Sequence, residues 1–312
     1  MLTEDVESRF NEGYLDARLY EQVLPPHFYC GLEDTEVVGA LLRGLVGAPD
    51  GDLGPCLDIG CGPGRMTQVL APYASTLLGA DKSAGMTQEF GRRFPDARVL
   101  NVDTEALVPR LLDEGLAGTF ALIGSFWSLS YPLLECFEEL DSAGVVVVGD
   151  EAQGRARAAA IIDGLVDLLA PDGMLLGLFF DADSAEQRFV TELWEEVHPF
   201  PGTGRRFTWE LLHERLTHHD RAGTGRLLEM RLPGTARLDN IEQARDWFEI
   251  EHLNSYAPLV RDPRTRARID EFAAGYTTSD GAVILPSGVN VFAFQRTTLQ
   301  DAPAMRGFLA HD

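Results

Sequence analysis

Short apolar segments alternate with helix-like segments through the middle of the chain. Residues 56–60, 76–80, 97–102 and 120–125 are short and largely apolar, which is typical of buried strands. The segments between them repeat apolar residues three and four positions apart, as an amphipathic helix does. Strands and helices that alternate in this way predict an α/β chain with a parallel sheet and crossover helices.

The second half of the chain continues this pattern with one interruption. Residues 154–170 have helical spacing, and an apolar strand is predicted over residues 174–180. Further strands are predicted over residues 225–232 and 288–296, with a mostly helical segment between them. Four valines at 145–148 indicate a short strand that has no place in the simplest order of strands.

The charge of the chain limits its partners. The sequence has 26 Lys and Arg residues against 49 Asp and Glu, a formal net charge of -23. This charge repels phosphate backbones and anionic membranes, so we expect neither nucleic acid nor a membrane as a partner. No run approaches the roughly 20 apolar residues of a membrane span, and the N-terminal residues lack a secretion pattern. We therefore expect a cytoplasmic protein.

The remaining composition adds two expectations. The four cysteines are irregularly spaced, unlike a disulfide framework or a zinc site, so no metal is expected. Lys82 is the only lysine, and this preference for arginine favours a GC-rich bacterial source. Oligomeric state stays open, with a homodimer as one possibility.

A glycine-rich turn at residues 58–64 carries the clearest chemical signal. It reads Asp-Ile-Gly-Cys-Gly-Pro-Gly and lies between an apolar strand and a helix-compatible run. Gly60 and Gly62 allow a ligand to lie directly on the main chain at the end of a strand. Asp81 follows about 20 residues later, at the end of the next strand, where a ribose diol is normally bound.

The spacing of this turn distinguishes between two cofactors. A dinucleotide fingerprint has the spacing G-x-G-x-x-G, whereas this chain has G-x-G-x-G with Asp58 two residues ahead. An anionic Asp58 is unfavourable beside a pyrophosphate but suits the cationic methionine portion of S-adenosylmethionine. The segment over residues 57–64 resembles the first motif of the class I, Rossmann-like methyltransferases, and the resemblance extends over residues 55–180.

This resemblance implies a domain organisation. Residues 1–50 are predicted to form an N-terminal helical cap and residues 51–300 a Rossmann-like domain. Its sheet is expected to have seven, mainly parallel strands with helices on both faces. A helical lid over residues 239–286 is predicted before the last strand, and residues 301–312 are predicted to form a C-terminal tail.

The resemblance also implies a set of cofactor-binding residues. We expect the site to contain Asp58, Gly60, Cys61, Gly62, Gly64, Asp81, Lys82, Asp103, Thr104, Ser125 and Phe126, with Tyr14 and Tyr29 from the cap. In this family an acidic residue in the place of Asp103 contacts the adenine amino group. A plain helix cap is the competing interpretation of Asp103.

Aromatic residues in the cap, after the fourth strand and in the lid predict an apolar chamber for the acceptor. The predicted pocket residues are Trp127, Tyr131, Trp247, His252, Asn254 and Tyr256. His252 and Tyr131 are the predicted catalytic residues, with the pair His218 and His219 as other candidates for a base. Packing of the cap onto the core is the alternative role of the aromatic rings.

These features predict a methyltransferase that acts on a small metabolite, in bacterial specialised metabolism. A second hypothesis keeps the cofactor but not the acceptor. In it, S-adenosylmethionine cyclises to azetidine-2-carboxylate and methylthioadenosine. A third hypothesis is a cofactor-binding protein without catalysis. The sequence does not separate the three hypotheses.

Overall fold

A nine-stranded mixed sheet forms the centre of the molecule. The computed structural model describes residues 21, 23–49, 51–141, 144–147, 150–197, 204–253 and 256–297. The strands are β1 (His27–Tyr29), β2 (Leu32–Glu33), β3 (Gly54–Ile59), β4 (Ala74–Asp81), β5 (Arg98–Asn101), β6 (Phe120–Phe126), β7 (Glu138–Asp141), β8 (Gly144–Val147), β9 (Leu169–Phe180), β10 (Gly225–Leu238) and β11 (Val283–Arg296).

Helices connect most of these strands. They are α1 (Asp34–Leu45), α2 (Thr67–Leu70), α3 (Ala84–Arg93), α4 (Thr104–Asp113), α5 (Ser130–Glu135), α6 (Glu151–Leu168), α7 (Ala185–Glu195), α8 (Gly204–Arg221), α9 (Ile241–Asp246), α10 (Ala257–Arg261) and α11 (Pro263–Ala274). A 3-10 turn covers Ala71–Tyr73, and a π-helix covers Trp247–His252. Among the described residues, none of the helices combines the length and the apolar character that crossing a bilayer requires.

The strand order is β2-β1-β10-β11-β9-β6-β3-β4-β5. The strands from β9 to β5 in this order are parallel to one another, whereas β11, β10, β1 and β2 pair antiparallel. The prediction of an α/β sheet with helices on both faces is confirmed. The predicted number of seven strands is wrong, because β1 and β2 extend the sheet beyond β10.

The two additional strands come from a segment that the sequence analysis assigns to the helical cap. Cys30 and Gly31 have positive φ angles of 52° and 85°, so the chain reverses between β1 and β2. β1 then pairs with the far end of β10, from His27 opposite Ala236 to Tyr29 opposite Gly234. This pairing is long-range in sequence, so local periodicity does not reveal it.

Two apolar layers cover the faces of the sheet. One layer packs α4, α6 and α8 against residues of the central strands, such as Leu57, Ile123 and Leu175. The other layer packs α1 against the opposite side chains, such as Leu122 and Leu176. Strands that are buried on both faces are apolar throughout, which explains the continuous apolar runs in the sequence.

A third apolar cluster holds the segment between β10 and β11. α9, the π-helix, α10 and α11 all lie in this segment. β10 and β11 are longer than predicted and pair from Gly225 opposite Arg296 to Leu238 opposite Val283. Residues 145–147 lie in β8, which pairs with β7 in a separate two-stranded sheet.

Side-chain caps mark the starts of α11 and α9. Asp262 caps α11, with Pro263 in the first turn. The cap of α9 is Asn240, not the neighbouring Asp239, because the Asn240 side chain accepts the N–H of Gln243.

Replacement of Gly177 tests the packing of the sheet. A Cβ at this position of β9 would lie 2.3 Å from the Phe292 ring and 2.6 Å from the Ser125 carbonyl oxygen. We expect Gly177→Ala to lower the free energy of unfolding by about 1–3 kcal/mol. The matched control is Gly44→Ala in α1, where a Cβ meets nothing within 4 Å. Urea unfolding measures both variants, and equal stability of Gly177→Ala and wild type contradicts this packing.

Candidate active site

A deep cleft lies where the parallel strands end. β3, β4, β5 and β6 all point their carboxyl ends at it, which is where α/β sheets bind ligands. Its empty volume is about 1210 Å³, including the part that is open to solvent. The cleft extends from the glycine-rich turn to the residues of the segment between β10 and β11.

The glycine-rich turn forms one wall of this cleft, and its glycines differ in role. Gly60, Gly62 and Gly64 all have positive φ angles. A Cβ on Gly60 would collide with Ser128, and one on Gly64 with Phe94, so both glycines serve the packing of the turn. A Cβ on Gly62 would meet nothing within 4 Å, and Gly62 lines the cleft. The bare main chain at Gly62 is therefore the surface that a ligand can approach.

Asp81 connects the end of β4 to the glycine-rich turn. Its carboxylate accepts the N–H of Gly62 at 3.0 Å and the N–H of Ser83 at 2.8 Å. Burial raises the pKa of this carboxyl, although both hydrogen bonds oppose the shift. Asp81 lines the cleft beside the apolar side chains of Met86 and Val102. This combination of a carboxylate, apolar walls and the open main chain at Gly62 fits the ribose and adenine of S-adenosylmethionine.

Asp58 lies behind the turn and not in the main cleft. It is 1% exposed, and the hydroxyl of Thr67 donates a hydrogen bond of 2.5 Å to it. Burial raises the pKa of Asp58 to about 7. Asp58 and Cys61 border a smaller pocket that shares Gly60 and Gly62 with the cleft. Burial also raises the pKa of Cys61 well above its ordinary value, which disfavours a thiolate there.

Asp103 both caps a helix and lines the cleft. Its side chain accepts the N–H of Ala106 at 2.8 Å and so caps α4. Asp103 and Thr104 also line the cleft. Lys82 lines it too, but its amino group is paired with Glu135 at 2.5 Å.

The end of β6 places one aromatic residue in a strained conformation. Phe126 and Trp127 line the cleft, whereas Ser125 is fully buried and contacts the hydroxyl of Ser128 at 2.8 Å. Trp127 has a φ angle of 63°, which is uncommon for a bulky residue and often marks a functional site. Its indole N–H donates to Asp34 at 3.1 Å.

Asp34 is a site residue that the sequence analysis missed. Its carboxylate is buried and accepts two hydrogen bonds from Arg65, at 2.8 and 2.5 Å. Burial tends to raise the pKa of Asp34, but the Arg65 guanidinium outweighs it and the net shift is downward. This pair fixes the start of α1 to the glycine-rich turn. No local pattern marks Asp34, because its partners lie far away in sequence.

A second buried carboxylate, Glu186, marks the opposite end of the cleft. It accepts the indole N–H of Trp247 at 2.6 Å and the hydroxyl of Ser287 at 2.7 Å. Glu186 Oε1 lies 3.5 Å from Nε2 of His252 and 4.0 Å from Nε2 of His27. Burial alone would raise the pKa of Glu186, but the contacts with the two histidines and Ser287 lower it.

His252 is held beside Glu186 without a hydrogen bond of its own. Both ring nitrogens are buried and have no hydrogen-bond partner among the described residues. Burial lowers the pKa of His252, against the influence of Glu186, so the ring is neutral near neutral pH. The hydroxyl of Tyr29 is also buried without a hydrogen-bond partner in the described chain. Both side chains line the cleft, where a ligand can satisfy them.

Aromatic rings line the cleft between its two ends. The ring centroids of Trp127 and Phe180 are 5.2 Å apart, and Tyr131 meets Phe180 edge-on at 6.3 Å. The guanidinium of Arg205 stacks on Phe180 at 3.5 Å and lies 3.4 Å from the Tyr131 hydroxyl. Tyr131 is therefore a wall of the cleft.

The remaining predicted residues fall elsewhere. Tyr256 packs near Trp194, with ring centroids 6.5 Å apart, and does not line the cleft. Tyr14 and Asn254 lie outside the described residues. His219 contacts Asp163 at 2.8 Å, and neither it nor the exposed His218 lines the cleft. The described residues include no group of three or more His, Cys, Asp or Glu side chains arranged to hold a metal ion.

The pH dependence of stability tests the environment of Asp58. Its folded-state pKa of about 7 exceeds the ordinary value of 3.8, so its contribution to stability is lost as pH rises from about 4 to 7. Over this pH range we expect the free energy of unfolding of wild type to fall relative to that of Asp58→Asn by a few kcal/mol (~1.4 kcal/mol per pKa unit). The control is Asp96→Asn at an exposed position. In urea unfolding, a pH-independent difference would refute the assignment.

Comparisons with known proteins address the fold and the glycine-rich turn. The YcgJ protein from Bacillus subtilis superposes with a TM-score of 0.50 at 12% identity, covering 84% of this chain and 99% of that chain. A putative methyltransferase from Bacillus halodurans gives a TM-score of 0.48 at 11% identity, with 85% and 99% covered. The cyclopropane synthase MmaA2 from Mycobacterium tuberculosis gives 0.48 at 15% identity, with 92% and 98% covered. At these identities the likeness concerns the fold alone.

Comparison of the sequence itself is more specific. Curated proteins give no match. A family model described as a methyltransferase domain matches residues 57–131, the segment that carries the glycine-rich turn, Asp81, Asp103 and the end of β6. The predicted resemblance to the class I S-adenosylmethionine-dependent methyltransferases is thereby confirmed.

Proposed function

We propose that the protein transfers a methyl group from S-adenosylmethionine to a small molecule bound in the same cleft. One observation carries this proposal. A single cleft joins the glycine-rich turn and Asp81 to the buried, unpartnered side chains of His252 and Tyr29. The first end fits the cofactor, and the second end offers polar atoms that need a ligand.

At the cofactor end, the chain supplies a preformed cradle. S-adenosylmethionine would supply a methyl group on a positively charged sulfur. Gly62 offers its main chain, Asp81 binds the ribose hydroxyls, and Asp103 and Thr104 border the adenine. Phe126 and Trp127, after β6, border the methionine portion. Asp58 lies behind the turn and its negative charge, when ionised, favours the cationic end of the ligand.

At the acceptor end, His252 acts as the general base. A neutral imidazole with no hydrogen bond can accept a proton from the acceptor. Glu186 acts through His252 as a positioning residue, because its own oxygens are already held by Trp247 and Ser287. Tyr29 offers its hydroxyl to a second polar atom of the acceptor. The cost of leaving these groups unpaired favours acceptors that satisfy them.

The cleft favours a small acceptor over a macromolecule. Its acceptor end is buried and walled by aromatic rings, which suits a compact apolar body. The net charge of -23 disfavours nucleic acid. The low lysine content of the chain supports a bacterial source, and we place the reaction in specialised metabolism, where such acceptors are diverse.

The nucleoside product separates this function from its alternatives. We expect S-adenosylhomocysteine only when the protein, S-adenosylmethionine and a small hydroxyl or amine acceptor are incubated together, as measured by mass spectrometry. Asp81→Ala should abolish product formation by loss of cofactor affinity, and Asp96→Asn is its exposed control. Methylthioadenosine without any acceptor would instead show cyclisation. Binding without any product would show a non-catalytic protein.

Replacement of His252 tests the proposed base. We expect His252→Gln to lower kcat about 10²–10⁴-fold and to leave cofactor affinity unchanged. The control is His218→Gln, on the surface of α8. Because burial lowers the pKa of His252, wild-type kcat should hold as pH falls to about 6.5 and decline only below it. A kcat that survives His252→Gln would show catalysis by positioning alone.

A further inference from the structure

The π-helix brings an additional ionisable residue to the acceptor end. The N–H of Leu253 bonds to the carbonyl of Phe248 at 3.0 Å, which is the five-residue step of a π-helix. Glu251 and His252 are the last two residues of this turn, and the His252 ring meets Trp247 edge-on with ring centroids 4.7 Å apart. All three residues line the cleft. Single π-turns of this kind are rare and occur frequently at functional sites.

Glu251 differs from the other carboxylates of the cleft in having no partner among the described residues. Asp34 is bound to Arg65, Asp81 to two main-chain N–H groups, and Glu135 to Lys82. Glu251 makes no hydrogen bond or ion pair within the part of the chain that the structure describes. Burial raises its pKa to about 8, and the charge of Arg205 opposes this shift. A ligand cation would satisfy this carboxylate.

The positively charged side chains that line the cleft are engaged by other groups, which disfavours an anionic acceptor. Arg65 is engaged by Asp34, and Lys82 by Glu135. The guanidinium of Arg205 is stacked on Phe180, and its Nη2 donates to the Tyr131 hydroxyl at 3.4 Å. Its Nη1 is buried without a hydrogen-bond partner in the described part of the chain, and Arg205 itself does not line the cleft. The carboxylates and aromatic faces therefore dominate the cleft, and rings attract an ammonium group through cation–π interactions.

We propose that the acceptor is a small amine, held in its ammonium form by Glu251 among the aromatic walls of the cleft. This inference rests on the proposed methyl transfer. Two observations converge on it. The carboxylate of Glu251 lines the cleft and has no partner among the described residues. One residue later, the buried imidazole of His252 makes no hydrogen bond within them and has only the 3.5 Å contact with Glu186. Trp247 and Trp127 supply the nearby ring faces.

The proton and electron balance of this reaction is complete. His252 takes one proton from the ammonium group, so that an N–H bond of the ammonium breaks and an N–H bond of the imidazole forms, while the Glu251 carboxylate stays ionised as the counter-ion. The free amine lone pair then forms a bond to the methyl carbon, while the carbon–sulfur bond breaks and its electron pair stays on sulfur. The product is a methylated ammonium ion, which keeps Glu251 as its counter-ion until it leaves. His252 then gives its proton to solvent.

Binding of matched ligands tests this site independently of methyl transfer. Isothermal titration calorimetry compares 2-phenylethylamine, 2-phenylethanol and phenylacetate, which share a ring and differ in the polar group. We expect the amine to bind best. Glu251→Gln should weaken amine binding by on the order of 30-fold or more, because it removes one partner of a buried charge pair. It should leave the alcohol unchanged. Glu242→Gln, at an exposed site of α9, is the control.

A measurement on wild type keeps the test independent of the variant. Because Glu251 is protonated in the empty cleft, amine binding at pH 7 should release about one proton, and alcohol binding none. Titration in buffers of different ionisation enthalpy counts these protons. Stronger binding of phenylacetate, or amine binding without proton release, overturns the proposal. Methylation of alcohols but not amines would also overturn it while leaving methyl transfer intact, whereas a lack of any methylated product overturns methyl transfer.

Discussion

The buried carboxylate of Glu186 is the contact on which the acceptor end depends. It lies on α7 and is 1% exposed, yet it touches the π-helix through Trp247 and His252, β11 through Ser287 and β1 through His27. A buried charge must be satisfied by hydrogen bonds or counter-charges. These four segments are therefore held in one arrangement, and β1 forms part of the wall of the cleft through His27 and Tyr29.

At the cofactor end, the buried carboxylate of Asp34 joins several segments, as Glu186 does at the acceptor end. Its bonds to Arg65 and Trp127 join α1, the turn after β3 and the end of β6. Trp127 makes this bond with a strained φ angle of 63°. Such strain costs about 1–3 kcal/mol, which the surrounding contacts offset. The two carboxylates thus fix the two ends of the cleft and leave its middle free for ligands.

The sequence predicts the site only where its signal is local. The glycine-rich turn and Asp81 are visible because a strand, a turn and an acidic residue follow one another within a few positions. Glu186 looks like any glutamate of an amphipathic helix, and its role depends on partners 61 and 101 residues away. The pairing of β1 with β10 and the π-turn before Leu253 leave no periodic trace either. Long-range contacts decided each of these features.

The carboxylates of the cleft have different roles because their surroundings differ. Asp34 and Glu186 have donors at both oxygens, so they stay ionised and hold the walls. Glu251 has no such donors, and burial raises its pKa to about 8. A carboxyl with this pKa changes protonation when a cation arrives, which a saturated carboxylate cannot do. The absence of partners in the described chain is what makes Glu251 fit to bind a ligand.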